Sequence, residues 1–313
     1  MEKLLAGLKA VAEHTRLRLL TILIRNELTV SEITYILDQS QPRVSRHLKL
    51  MCDAGILDRV QEGAWVFYRV TDKKPGRDLC NALIELIADD DMVLQRDLGR
   101  LATIRTEHSR QAETYFYKNA KQWDKLRSLY VSEKKVEQAM LSALANVQVK
   151  ELLDLGTGTG RMLEVFGGVI EKGMGIDNNR DMLAIARAKL EENQLAHCQV
   201  RQGDIYNVSL PSDSVDLITV HHVLHFLNDP KMVIAGSSRL LKSGGRLLVV
   251  DFAPHEIELL REEHAHRRLG FSDREITHWC ENAGLRVVSI EHLEAASKTN
   301  ARLTVTLWVA VKK

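Results

Sequence analysis

From Glu151 onward the sequence settles into a repeating change of period, and this restricts the fold more than any other feature. ELLDL, MGID, VRQGD, VDLITV, RLLVVDF, LRVVSIEHL and LTVTLWVAV are strand-like runs, most of them separated by helical stretches. Such alternation demands a mainly parallel sheet with helices on both faces. The last two runs have no helix between them, so an antiparallel terminal hairpin is expected.

The chain before Pro75-Gly76, the best local break in the first third, follows other rules. An amphipathic helix is expected over Glu2–Glu13. A second, capped by Thr15, runs over Arg16–Arg25, and a third starts at Thr29 or Ser31 and ends near Leu37. Ser40 caps a fourth over Gln41–Cys52. LDRVQEGAWVFYRV then reads as two strands around a Glu62-Gly63 turn. Residues 77–145 read as mostly helical, with Leu94, Leu98, Leu101 and Ile104 forming a narrow apolar stripe on a polar segment. That seam needs a partner: a second copy, a lever between domains, or the chain's own core. The resulting domain expectation is 1–75, a helical linker or dimerisation region at 76–111, and 112–313.

Bulk properties agree with a multidomain chain. There are 313 residues, 45% hydrophobic and 27% charged, enough for two cores. The net charge of +1 conceals an uneven spread: 12 Lys/Arg against 9 Asp/Glu in residues 1–75, 11 against 11 in 76–149, and 20 against 22 in 150–313. The N-terminal excess permits nucleic-acid binding without demanding it. Cys52, Cys80, Cys198 and Cys280 form no C-x-x-C pair, and reduced thiols are expected. Charges interrupt every apolar run of MEKLLAGLKAVAEHTRLRLL, so no signal peptide is expected there. No uncharged apolar run approaches the ~20 residues of a membrane helix. A cytoplasmic protein with no membrane partner is the expectation.

On the fourth helix, Val44, Leu48 and Met51 share one face, so Arg43, Arg46 and Lys49 point away from the core with Ser45 and His47 on the flanks. Such a helix suits the major groove of DNA, where Arg reads guanine edges and Lys and Ser reach phosphates. Ser40 and Gln41 open it, and Arg59 and Arg69 of the hairpin are placed to touch the adjacent backbone. A solvated basic face is the alternative. LKAVAEHTRLRLLTIL, ELTVSEITYILDQSQPRVSRHLKLMCDAGIL and the hairpin together resemble the ArsR-type winged helix-turn-helix regulators over roughly residues 4–72. The resemblance implies a double-stranded DNA operator and a homodimer. Metal-sensing members of that family carry an ELCVCDL-type box. Here Glu27-Leu28-Thr29-Val30-Ser31-Glu32-Ile33 has neither cysteine, and Thr and Ser are poor ligands for soft metals. DLCNALIELIADDD after Pro75 offers only carboxylates and one thiol. No metal site is expected, and another signal must be supplied.

In the C-terminal region, LLDL runs into Gly156-Thr157-Gly158-Thr159-Gly160 and then the helix RMLEVF. Three glycines let a ligand approach bare backbone at a helix N-terminus. The spacing is not the dinucleotide G-x-G-x-x-G. Asp177 ends the second strand, 21 residues after Gly156, where a carboxylate accepts from both hydroxyls of a ribose. The alternative is a cap for the helix that begins within Asn178-Asn179-Arg180-Asp181-Met182. Asp204, after the third strand, is placed to accept from an adenine amine while the Ile205 N–H faces a ring nitrogen; an ordinary loop Asp is the alternative.

Asp154, the glycines, Asp177 and Asp204, in this order at successive strand ends, resemble the class I S-adenosylmethionine-dependent methyltransferases over roughly residues 112–313, with a UbiE-like flavour. VDLITVHHVLHFLNDP and LLKSGGRLLVVDF extend the match. The resemblance implies an α/β multidomain chain: a winged helix-turn-helix, a helical linker and a Rossmann-like seven-stranded sheet with its antiparallel terminal hairpin. It implies S-adenosylmethionine or S-adenosylhomocysteine as cofactor, held by Asp154, Gly156, Thr157, Gly158, Gly160, Asp177, Asn178, Met182, Asp204, Ile205 and His221. ETYFYKNAKQWDKLRSLY looks like a cap over that pocket, with Tyr115, Tyr117 and Trp123 either lining it or simply core.

Methyl transfer is an in-line displacement in which the protein chiefly aligns the reactants, and a base is needed only if the acceptor must lose a proton. His221, His222 and His255 are the candidates, with His225, His264 and His266 behind them; buried hydrogen bonding suits each equally. His255, His264, His266, Arg267 and Arg268 after the fifth strand either face the substrate side or make a polar helix surface, the latter favoured by the preference of charges for solvent. The sequence has no Asn/Asp-Pro-Pro-Tyr/Phe motif of amino-DNA methylases, no Pro-Cys nucleophile, and no thiol cluster for arsenic methylation. A methyl acceptor is therefore left open, beside the reading in which the cofactor acts as an effector.

Overall fold

The computed structural model describes residues 1–24, 26–62, 65–71, 73–87, 91–119, 132–145, 147–294 and 303–313. They divide into two compact units, Met1–Arg110 and Gln111–Lys313.

The first unit opens with α1 (Glu2–Val11) and α2 (His14–Leu23). Glu13, not Thr15, caps α2: its carboxylate accepts from the Arg16 N–H at 3.0 Å. An acidic cap also complements the positive end of the helix dipole. After β1 (Leu28–Thr29) comes α3 (Val30–Leu37), started by a reciprocal capping box between Thr29 and Glu32 and closed by Asp38 at φ 56°. The α4 helix (Gln41–Asp53) follows Ser40, but the Ser40 side chain makes no cap bond; Pro42 in the first turn presets the backbone instead. Strands β2 (Leu57–Glu62) and β3 (Trp65–Val70) pair antiparallel, and β1 joins the free edge of β3. Gly63 of the expected turn lies outside the described residues.

Helices α5 (Gly76–Glu85) and α6 (Met92–Asn119) follow. Cys80 and Leu101 complete the core built by α1 to α4, and Ile104 packs against it. Leu94 is buried as well, whereas Leu98 is exposed. Most of the apolar seam is thus covered by the chain's own core. A buried ion pair fixes α6 in place: Arg18 Nε and Nη2 donate to Asp97 Oδ2 and Oδ1 at 2.6 and 2.8 Å, and Nη2 also donates to the Leu37 carbonyl at 2.9 Å.

In the second unit α7 (Glu133–Ser142) precedes a seven-stranded sheet: β4 (Glu151–Leu155), β5 (Lys172–Asp177), β6 (Cys198–Gln202), β7 (Val215–His221), β8 (Leu241–Phe252), β9 (Leu285–Glu294) and β10 (Thr304–Lys312). Their spatial order is β6-β5-β4-β7-β8-β10-β9. Strands β4 to β8 run parallel, and β10 pairs antiparallel with both β8 and β9. The expected terminal hairpin is therefore present, with the last strand inserted beside β8. Alternate residues of β8 feed opposite faces: Leu248 and Val250 join one core, Leu247 and Val249 the other. Helices α8 (Arg161–Phe166), α9 (Arg180–Glu192), α10 (Pro230–Leu240), α11 (Leu259–His264) and α12 (Asp273–Asn282) complete the described part of the unit. The chain enters at β4, winds out to β6 and returns on the other side at β7. Ligands of open α/β sheets bind beyond the strand ends at such a reversal. Among the described residues no helix is long and apolar enough to cross a membrane.

Removing one partner of a buried ion pair strands the other charge, at about 3–5 kcal/mol. Asp97→Ala is therefore expected to lower the first unit's stability by that amount, seen as an earlier unfolding transition in urea.

Candidate functional site

The face of α4 opposite its buried Val44, Leu48 and Met51 is displayed to solvent. Gln41, Arg43, Ser45, Arg46 and Lys49 are exposed along it, and Ser40 is exposed at its entrance. His47 is half-buried, with Nδ1 3.7 Å from Glu13, and its pKa is lowered chiefly by burial. Arg59 is exposed on β2 and donates to Gln61 Oε1 at 3.3 Å. Arg69 is corrected: it is not displayed with these cations. Its guanidinium lies 3.0 Å from Glu27 Oε1, and both side chains are largely buried. Thr29 is likewise engaged at home, its hydroxyl bonded to Glu32 in the capping box.

The second site is built on the β4 turn. Asp154 is buried and accepts from the Thr219 hydroxyl of β7 at 2.7 Å, which ties the first strand to its neighbour across the reversal. Gly156, Gly158 and Gly160 all have positive φ, at 73°, 51° and 81°. A Cβ on Gly156 would lie 2.5 Å from Val223 Cγ2, so glycine is required there twice over. Gly160 stands immediately before α8. Thr157 and Thr159 are buried beneath the turn. Gly175 of β5, a position the sequence reading did not single out, leaves room for Thr157: a Cβ there would sit 2.5 Å from the Thr157 hydroxyl.

Asp177 is not the cap of α9. Asn179 has that task and accepts from the Asp181 and Met182 N–H groups, both at 3.0 Å. Asp177 instead receives the Gly158 N–H on Oδ2 and the Asn179 N–H on Oδ1, each at 2.9 Å. Burial pushes its pKa up, and these backbone donors work in the opposite direction. The carboxylate thereby binds the glycine turn to the end of β5. Asn178 is exposed, and Met182 is buried in the first turn of α9. Asp204 is exposed beyond β6, accepts from the Tyr206 N–H at 2.9 Å, and stands next to Gly203, whose N–H donates to the Asp177 carbonyl at 3.0 Å. Ile205 packs against the core beneath it. The glycines, Asp177 and Asp204 therefore stand together at the ends of adjacent strands, with Asp154 buried within β4. The side chains of Tyr115, Tyr117 and Trp123 lie outside the described residues.

Across the reversal, the ends of β7 and β8 gather histidines. His221 and His222 are buried side by side, their ring centroids 4.7 Å apart, with His222 at φ 54°. His225, in a short 3-10 turn, places Nδ1 2.7 Å from Asp251 Oδ1, and Asp251 is fully buried. Burial opposes the charge of Asp251, but His225 beside it and a backbone N–H outweigh it, so its pKa is lowered. His266 stacks on His225 at 4.0 Å, and its pKa lies well below the usual value because of burial. His255 is held to about 4 by the same cause. Burial thus disfavours the charged forms of His255 and His266 beside the ends of β7 and β8. The expectation of a polar helix surface over His255–Arg268 is overturned for its key members: His266 and Arg268 are buried, because the segment folds back onto the end of the sheet. Sequence reasoning missed Asp251 altogether. A lone acid inside the apolar run LLVVDF was the available signal. It also expected no metal ligands, yet ligand-capable atoms of His222, His225 and Asp251 lie within 4.8 Å of one another.

Comparison with known proteins assigns both halves. Residues 13–59 match the bacterial regulatory protein, arsR family, and residues 153–249 match the methyltransferase domain family. The arsenic resistance transcriptional regulator ArsR1 of Pseudomonas putida is 43% identical over 96 residues, 30% of this chain and 73% of that protein. A UbiE ubiquinone/menaquinone biosynthesis C-methyltransferase from Teredinibacter turnerae is 32% identical over 117 residues, 36% of this chain and 47% of that protein. The uncharacterized methyltransferase YcgJ of Bacillus subtilis is 27% identical over 146 residues, 46% of this chain and 56% of its own length. The chain thus spans about half the length of these methyltransferase relatives. The YcgJ crystal structure superimposes with a TM-score of 0.50 at 19% identity, covering 58% of this chain and 99% of that one. The second unit therefore has a methyltransferase fold, and through its N-terminal match the chain belongs to the arsR family of bacterial regulatory proteins.

Proposed function

We propose that this chain is a DNA-binding transcriptional regulator whose C-terminal unit binds S-adenosylmethionine or S-adenosylhomocysteine as its effector. One observation carries the reading: a DNA-reading helix and a preformed glycine turn gripped by Asp177 occur in one polypeptide. Residues 27–33 contain no thiol through which a soft metal would signal. The donor set fits the ligand. The bare backbone of Gly156–Gly160 receives the amino-acid end, with Asp154 buried beneath it as a structural tie to β7. Asp177 is partly accessible and already oriented by two N–H groups, so its remaining lone pairs serve the ribose hydroxyls. Asp204 and the Ile205 N–H serve the adenine. Asn178, Met182 and His221 border the same mouth. On the DNA side, Arg43 and Arg46 read base edges, while Ser40, Gln41, Ser45, His47, Lys49 and Arg59 position the helix on the backbone.

The chain acts as a homodimer on a two-fold operator, its half-sites one or more helical turns apart. An effector changes DNA affinity only by binding one arrangement of the reading heads better than another. A coupling of about 1–3 kcal/mol, or roughly 5–150-fold in operator affinity, is expected at fixed salt. Operator titrations with and without each ligand measure it, and an affinity unmoved by both removes the effector role. Hydrogen bonds to a charged group contribute about 1.5–3 kcal/mol. Asp177→Ala should accordingly weaken S-adenosylhomocysteine binding by at least tenfold in calorimetry, and Gly156→Ala should abolish it. Arg46→Ala should weaken operator binding by about 1–3 kcal/mol with relaxed specificity, while Lys49→Ala should lower affinity evenly across sequences and flatten the salt slope.

The buried imidazoles beside the cofactor mouth favour a second reading, an active small-molecule methyltransferase with an attached DNA-binding head. It expects conversion of S-adenosylmethionine to S-adenosylhomocysteine when acceptors or cell extract are supplied. Its test is independent of DNA: no product across such a panel eliminates it.

A further inference from the structure

We propose that His222, His225 and Asp251 form a binding site for one divalent transition-metal ion of the zinc class. The three residues come from different places: His222 follows β7, His225 lies in the 3-10 turn and Asp251 is near the end of β8. All three are buried, and one ligand-capable atom of each lies within 4.8 Å of the other two. A tetrahedral ion with bonds of ~2.0–2.1 Å holds its ligand atoms about 3.4 Å apart. The 2.7 Å gap between His225 Nδ1 and Asp251 Oδ1 must therefore open slightly and the longest separation must close. Small rotations of the imidazoles suffice, because their terminal torsions are soft.

The chemistry of the donors selects the ion. Two imidazole nitrogens and one carboxylate suit zinc or iron(II). Calcium and magnesium prefer all-oxygen shells, and no thiolate is present in the group for a soft ion. A fully buried carboxylate also needs a compensating positive group. In the metal-free protein the neutral His225 ring supplies only a hydrogen bond, whereas a divalent ion would supply the positive charge. The exchange balances: the ion takes Nδ1, the imidazole proton moves to Nε2, the ring stays neutral and Asp251 stays anionic.

The surroundings are those of an open site. Three protein ligands leave a position for water or a substrate oxygen, unlike a closed structural site. Two further imidazoles lie close by. His266 stacks on His225 at 4.0 Å, and among the described residues its buried Nδ1 and the buried His255 Nε2 have no hydrogen-bond partner. Val223, between the two histidine ligands, touches Gly156. The ion would therefore sit beside the glycine turn. The inference does not depend on whether the cofactor is effector or methyl donor.

The test uses the full chain, stripped with chelator and titrated with cobalt(II) and zinc(II) in the absence of nucleosides. One ion per chain at micromolar affinity or tighter is expected, with visible cobalt bands of nitrogen and oxygen ligation and no thiolate charge-transfer band. His222→Gln and His225→Gln should each weaken uptake at least tenfold while far-ultraviolet circular dichroism stays that of the parent. Uptake that is absent, weak and unsaturable, thiolate-ligated, or unchanged in both variants overturns the site. Should neither variant fold, the cobalt spectrum and stoichiometry of the parent protein decide alone. Loss of nucleoside binding in a separate titration would leave this result standing, so the two readings fail independently.

Discussion

The hydrogen bond from the Gly158 N–H to Asp177 is the contact on which the C-terminal site depends. It joins a turn that has little conformational preference of its own to the end of a buried parallel strand. Glycine supplies access to left-handed backbone, but it also carries the largest entropy of ordering. The carboxylate offsets that entropy before any ligand arrives. The same group that would grip a ribose therefore first organises the backbone beside it. Burial raises the energy of its charge, and backbone donors offset only part of that cost. The turn, the carboxylate and the next strand end act as one preorganised piece.

The neighbouring half of the mouth follows another physical logic. Around Asp251 the fold collects imidazoles whose charged forms are disfavoured by burial, as His255 and His266 show. A cluster of this kind is poorly suited to being a mere filler, because buried polar rings lose water without gaining much dispersion over an aliphatic side chain. Its location beyond the ends of β7 and β8 places it on the β7 side of the point, between β4 and β7, where the order of winding reverses. The glycine turn and the histidine cluster thereby lie on the two sides of a single topological feature. Fold alone does not choose between catalysis and sensing.

The N-terminal unit shows how a DNA-reading surface is kept clear. Cations on α4 stay exposed because the buried stripe of Val44, Leu48 and Met51 leaves them no alternative. Several cations elsewhere are consumed in structure: Arg18 by Asp97, Arg69 by Glu27, and Arg100 by Asp38 and the carbonyls that end α3. A tally of basic residues would overstate the available surface. The strip on α4 and β2 stays clear, while Lys3, Lys9, Lys73, Lys74 and Arg96 are exposed elsewhere on the unit.

Local features were legible from the sequence: the helix and strand types, the order of the domains, the glycine turn, the buried stripe of α4 and the strand-end position of Asp177. Each depends on side-chain periodicity or backbone dihedrals within a few neighbouring residues, and these act whatever the rest of the chain does. Partnerships were not legible. Arg18 and Asp97 are 79 residues apart, Arg69 and Glu27 are 42 apart, and His225 and Asp251 are 26 apart. Nor could local pattern reveal that β10 would slip between β8 and β9, or that His266 and Arg268 would be buried. The amino-acid sequence by itself determined which backbone could form and which helix face had to remain wet. Only the tertiary structure decided which charges neutralise one another and which histidines meet, because long-range packing sets the distances that electrostatics and ligation require.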